Sequence, residues 1–204
     1  MITAIYYDGE RSKEMKVEEL VSVHPLKLQK GFVWIDLSAP TAEEMRSILV
    51  DFFDFHPLTI EDCEIFIDHP KIDEYSNYLF IVFHALYYHI EELRIATWEL
   101  DFFVGKNFLV TNHLKPIIYI SDTKQKLLDC DEYLVNGVDF VAQALIHSMV
   151  DCYQPIFKKI SAKLNEVEGE VLTTTEHDTI NDIYKIKRNL SILNKVLMPQ
   201  IEVL

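Results

Sequence analysis

Positive charge is in short supply in this sequence. Its 204 residues carry 19 Lys and Arg against 33 Asp and Glu, a formal net charge of −14. A phosphate backbone needs a basic footprint, so the balance excludes nucleic acid as a partner class and disfavours an anionic membrane surface. An acidic surface does gather cations, although solubility alone also favours one. Glycine and proline are scarce as well, with 5 and 7 residues, so the chain is neither collagen-like nor low in complexity. Cysteine is limited to Cys63, Cys130 and Cys152. No CxxC pair exists, which argues against a structural zinc site or a thioredoxin-like motif and suits a reducing cytosol. Long hydrophobic runs are missing too. The most apolar stretch, Leu79 to Tyr88, is interrupted by His84 and is far shorter than the roughly 20 residues of a membrane-spanning helix. Met1 to Tyr7 has no basic start and runs straight into Asp8, unlike a signal peptide. As given, the chain reads as soluble. It contains no GxSxG, P-loop, GxGxxG or HExxH pattern, and an acid/base pair drawn from so many carboxylates would be chance, so the chain reads as no enzyme.

What is present suits a sizeable core: the chain is 49% hydrophobic, with 12 Phe and 10 Tyr. Ile2 to Tyr7 reads as a strand ending in the Asp8-Gly9 turn signal, with Ser12 to Val17 as its return and Phe32 to Leu37 as another strand. Thr41 and Glu44 form a capping box. The helix they open carries Met45, Ile48, Leu49, Phe52 and Phe53 on its apolar face. A short helix follows from His56-Pro57, with Pro57 in its first turn. Lys71 to Tyr75 and Tyr78 to Tyr88 read as strands around Ser76-Asn77, and Thr97 to Val104 and Phe108 to Asn112 as a hairpin. Ser121 to Leu128 reads as a helix.

From Val138 the period is helical throughout. Val141, Leu145, Met149, Cys152, Ile156, Ile160, Leu164, Val167 and Val171 form one apolar stripe, with Pro155 expected to kink or break it. After a connection at Thr173 to Asp178, a second stripe runs through Ile180, Ile183, Ile186, Leu190, Leu193, Leu197, Ile201 and Leu204. The two helices are expected to run antiparallel. Ile201 to Leu204 lies within the apolar rhythm and has no closing Gly or Asn, so a longer helix is expected to continue.

One segment is specific. Phe55-His56-Pro57-Leu58-Thr59-Ile60-Glu61-Asp62, followed by His69-Pro70-Lys71-Ile72 and the strand to Phe83, resembles the HPL..ED and RPK stretch of the CorA family of divalent-cation channels. His69 stands where the family has Arg. Trp34 to Leu37, Glu99 to His113, Ile186 to Leu190 and Met198 to Leu204 resemble that family's first core strand, central hairpin and stalk helix, in the same order. The resemblance implies an α/β fold. An αβα sandwich around a mixed, largely antiparallel sheet would occupy residues 1–135, with a helical hairpin and the start of a stalk helix at 136–204. It implies the cytoplasmic domain of an inner- or plasma-membrane protein whose stalk runs into two membrane spans, the first ending in Gly-Met-Asn. It further implies a homopentamer whose pore is held shut by Mg2+ bound between subunits. Co2+ and Ni2+ serve as surrogates, and a related branch moves Zn2+.

Glu61 and Asp62 match the family's acidic pair at the intersubunit metal site. Mg2+ keeps most of its waters and takes one or two carboxylates, so such a pair makes the weak site a sensor needs. Equally, the two are ordinary solvated charges near a helix start. A second family acid falls on His147, one turn before Asp151. An imidazole suits Zn2+, Co2+ or Ni2+ better than Mg2+, and the bland reading of His147 and Asp151 is a surface pair at i, i+4. Three functions are set against one another: the metal-sensing domain of a cation channel, a soluble helical-hairpin binding module, and a metal-dependent enzyme using His147 and Asp151. The cytosolic domain of a zinc-transporting relative is a variant of the first.

Overall fold

A computed structural model describes residues 1–129, 134–173 and 177–203. Seven strands make one sheet: β1 (Ile2–Tyr7), β2 (Ser12–Met15), β3 (Phe32–Ser38), β4 (Lys71–Glu74), β5 (Tyr78–His89), β6 (Arg94–Gly105) and β7 (Phe108–His113). Their order is β2-β1-β3-β7-β6-β5-β4. Every pairing is antiparallel except that of β3 with β7. Fold class and mixed sheet agree with the sequence reading. The hairpin strands run longer than expected, because Arg94 to Ala96 keep pairing with Tyr87 to His89.

Two cores flank the sheet. Alternation along β6 decides which side chain enters which: Leu100 and Phe102 go to one, Phe103 to the other. The second core is roofed by α1 (Ala42–Arg46), a π-helical turn (Ser47–Phe52) and α2 (Pro57–Glu64). The capping box forms as read: the Thr41 hydroxyl accepts from Glu44 N at 3.1 Å, and Thr41 N donates to the Glu44 carboxylate at 2.9 Å. The π turn departs from the simple helix expected. Phe53 N donates to Ile48 O, and the extra residue lets both Phe53 and Phe55 reach the sheet. Phe55 stacks on Phe53 at 4.8 Å and on Phe103 at 4.4 Å between centroids. Two 3-10 turns, Val17–Val23 and Pro25–Lys27, fill the stretch that the sequence reading left without structure.

The other core is covered by α3 (Ile118–Asp129), α4 (Val138–Asp151), α5 (Tyr153–Thr173) and α6 (His177–Val203). The break between α4 and α5 falls at Cys152, because Pro155 has no N–H to offer the Asp151 carbonyl. The expected connection at Thr174 and Thr175, like Cys130 and Leu204, lies outside the described residues.

The phase of the second stripe differs from the expectation. The buried positions of α6 are Thr179, Ile186, Asn189, Leu193, Val196 and Gln200, whereas Ile180, Ile183, Leu190 and Ile201 are exposed. Polar chemistry sets this phase. Asn189 accepts from Ile95 N at 3.0 Å and donates to Leu93 O at 2.8 Å, closing the tip of the β5–β6 hairpin. Gln200 Oε1 accepts from His84 N at 3.1 Å. β4 pairs with β5 only as far as Val82, so beyond that point the edge of β5 is open and α6 supplies the missing partner.

Gly31 is one position where only glycine fits. Its φ is +76°, and an added Cβ would sit 1.9 Å from the Tyr7 carbonyl oxygen. We expect Gly31→Ala to destabilise the chain by at least about 1–2 kcal/mol, read as a lower urea midpoint. An unchanged midpoint would mean that the loop entering β3 relaxes freely beside Tyr7.

Candidate functional site

Glu61 and Asp62 lie in the last turn of α2, not near the helix start the sequence suggested, so the helix dipole does not stabilise them; the first turn is organised by His56. The His56 Nδ1 accepts from Leu58 N at 3.2 Å, and Pro57 occupies the first helical position. Glu61 is exposed and has no ion-pair partner among the described residues. Asp62 is half-buried, and its Oδ2 receives Lys71 Nζ at 2.7 Å. Lys71 also holds Asp73 at 2.8 Å. The pair is therefore one exposed carboxylate beside one anchored carboxylate. It can offer a hydrated Mg2+ a weak oxygen site.

His147 and Asp151 share a face of α4, with Nε2 to Oδ2 at 3.4 Å, and both are well exposed. The structure does not bring them to Glu61 and Asp62. α2 packs in the core on one side of the sheet, α4 in the core on the other. Among the described residues, no three His, Cys, Asp or Glu groups are placed to hold a metal ion together. Within one chain, then, the four predicted residues form two separate pairs.

Sequence reasoning missed a second group behind α2. Glu99, Asp101 and Phe103 alternate on one face of β6, so two carboxylates point to the core side of a central strand. That placement is the signal that could have revealed them. Asp101 is 2% exposed and its Oδ2 accepts from Asn112 Nδ2 at 2.8 Å. The Glu99 carboxylate accepts from Ile67 N. Burial pushes Asp101 up to about 7, and the Asp62 charge adds to it. Burial followed by the Asp101 charge pushes Glu99 up to about 8. Cys63, raised first by burial and then by Asp101, keeps its thiol proton.

Asp36, equally buried on the opposite face, behaves in the reverse way. Burial alone would raise it, but His113 Nε2 at 3.2 Å, Lys124 Nζ at 3.5 Å and the Thr111 hydroxyl at 2.7 Å hold it below its ordinary value. Asp36 is a compensated charge and Asp101 an uncompensated one.

The loop after α2 connects these groups to α6. Ile67 gives its N–H to Glu99, and its carbonyl meets His84 Nε2 at 2.7 Å. Asp68 reaches Lys195 of α6 at 3.2 Å. The His84 backbone is held by Gln200 of α6 and, at 2.7 Å, by the Tyr153 hydroxyl of α5.

This mixed seven-stranded sheet with helices and a long C-terminal helix resembles the fold of the CorA soluble domain. That domain from Methanocaldococcus jannaschii superposes with a TM-score of 0.71 over 98% of this chain and 76% of its own, at 19% identity. The ZntB cytoplasmic domain of Vibrio parahaemolyticus gives 0.69 over the same shares at 11% identity, a likeness of fold alone. The family profile described as "CorA-like Mg2+ transporter protein" matches residues 29–204, and the chain belongs to that family. It is 30% identical over its whole length to the "Putative metal ion transporter YfjQ" of Bacillus subtilis, covering 60% of that protein. It is 26% identical to the cobalt/magnesium transport protein CorA of Thermotoga maritima, covering 58%. The chain thus spans about three fifths of the length of these relatives. Among the described residues, no helix is long and apolar enough to cross a membrane.

Proposed function

We propose that this chain is the cytosolic regulatory domain of a CorA-type divalent-cation transport channel, in which Glu61 and Asp62 sense Mg2+ and α6 passes the signal toward the membrane. Family membership supports the class, and one observation carries the role: the loop leaving the acidic helix is bonded through Ile67 to Glu99 and His84 of the sheet, and His84 in turn to Gln200 of α6. A change at α2 has a short, bonded route to the stalk. With Glu61 and Asp62 on one face of the sheet and His147 and Asp151 on the other, a site using both pairs takes its donors from two copies. This fits a homo-oligomer, a pentamer in the family pattern. The exposed ridge of Ile180, Ile183, Leu190 and Ile201 gives such copies an apolar face to bury. Mg2+ bridging neighbours would favour the closed arrangement, and its loss would free the subunits to move.

In the full-length protein, Glu61→Ala combined with Asp62→Ala should raise the Mg2+ concentration for half-inhibition of conductance by about tenfold or more, since even the outer partners of metal ligands command about 10–100-fold. A patch-clamp titration with an unchanged midpoint would remove the pair from the sensor. His147 favours a second reading, a Zn2+-moving relative, because its exposed imidazole beside Asp151 suits softer ions. Uptake of Zn2+ but not Mg2+ by the full-length protein would decide for it.

A further inference from the structure

We propose that the cavity behind α2 is a binding site for a small organic cation bearing a primary ammonium group. The cavity has a volume of about 170 Å³ and is lined by Cys63 of α2, Phe66 of the following loop, Trp98, Glu99 and Asp101 of β6, and Asn112 of β7. A single water needs only about 10–15 Å³ on the same measure, so a larger guest fits.

The floor is rich in acceptors, with the Cys63 thiol beside Asp101 and Lys115 also in the lining. Asn112 is 1% exposed and turns its amide NH2 to Asp101 Oδ2, which leaves its buried Oδ1 without a partner at the cavity wall. Asp101 Oδ1 is likewise buried and receives no N–H or O–H donor. The Glu99 carboxylate stands beside them, satisfied by one backbone N–H. Buried acceptors and buried negative charge without a partner are each unfavourable. A guest that brings several N–H donors and one positive charge relieves both at once.

The walls narrow the choice. Phe66 and Leu114 make them largely apolar, which suits an alkyl stem. Mg2+ instead holds its waters tightly, and among the described residues no three-ligand metal cluster exists. An anion would meet two carboxylates. The ammonium of an aliphatic amine, near the lysine value of about 10.4, stays charged at pH 8, where Asp101 is largely and Glu99 about half ionised.

The test is a calorimetric titration of the chain at pH 8 with n-butylamine and with tetramethylammonium, which has the charge but no N–H. Butylammonium should bind and tetramethylammonium should not. Asp101→Asn should weaken butylamine about 10- to 100-fold, the range of a hydrogen bond to a charged group. Leu114→Trp, which narrows the mouth and leaves the acids in place, should weaken it as well. Equal binding of the two cations, an unaltered affinity in Asp101→Asn, or no heat at millimolar butylamine would each overturn the proposal. So would binding that appears only in Lys115→Ala, since the floor would then serve the chain's own lysine at the rim. The titration uses neither metal nor transport, so its failure leaves the metal-sensing reading as it stands.

Discussion

Asp101→Asn should make the chain more stable at pH 8.5 and flatten its loss of stability above pH 6.5. In the folded chain Glu99 and Asp101 keep protons up to about 8 and about 7, whereas in the unfolded chain both release them near 4. Over that interval the folded state binds more protons, so stability falls as pH rises, and the loss is complete once both acids are ionised. His84 acts in the opposite direction. Burial lowers its affinity for a proton, so it withdraws stability as pH falls below about 6.5. From pH 6.5 to 7.5 the acids therefore dominate; above that Cys63, also raised in the folded chain, adds a smaller loss of the same sign. Asn keeps the shape and the bond to Asn112 while removing the charge. The gain at pH 8.5 should be about 1–3 kcal/mol, the range for a buried group left without a partner. Urea midpoints at pH 6.5, 7.5 and 8.5 measure it. Parallel pH profiles for the two proteins would show that the cavity lets water compensate Asp101 fully.

Gln200→Leu should loosen α6 from the sheet. The change removes the acceptor for His84 N and the donor to the Tyr153 hydroxyl at 2.9 Å, leaving two buried groups to find new partners at about 1–3 kcal/mol each. Leucine fills similar space, so the loss is of hydrogen bonds more than of packing. The specific readout is amide exchange at His84, which should speed up by about tenfold or more for each 1.4 kcal/mol of opening energy lost. Unaltered protection at His84 would mean that the edge of β5 is covered by something other than Gln200. Lys195→Ala makes a useful contrast. Its bond to Asp68 is solvent-exposed at both ends, and such a pair contributes little.

Much of the scaffold is legible in the sequence because its signals are local. The β-rich run from Ile2 to Tyr7 with its Asp8-Gly9 turn signal, Pro57 at a helix start, the Thr41–Glu44 box and the Lys106-Asn107 turn each depend on residues within a few positions of one another. The missed features depend on distant partners. The phase of α6 follows from Asn189 and Gln200 meeting backbone groups 94 and 116 residues away, and nothing in the helix itself ranks those two above Ile183 or Leu190. The π turn forms because Phe55 stacks on Phe103. The Glu99–Asp101 group looks like two more charges in an acidic chain until β7 and α2 close over it. Glu61, Asp62, His147 and Asp151 are legible as residues, but that the sheet separates them into two pairs is a property of the topology alone.

The single parallel pairing of β3 with β7 carries a consequence for how the chain matures. β1, β2 and β3 are neighbours in sequence and can assemble early, yet the inner edge of β3 is completed by a strand made much later. Trp34 waits for Thr111, 77 residues on, before its indole N–H finds a partner. Until then the growing chain displays an apolar strand with an unpaired edge, the kind of surface that chaperones bind and that seeds misassembly. Helices α3 to α6, which seal the same face, come later still. Folding of this domain should be slow for its size, governed by the docking of two preformed halves, and most vulnerable while the ribosome is between β3 and β7.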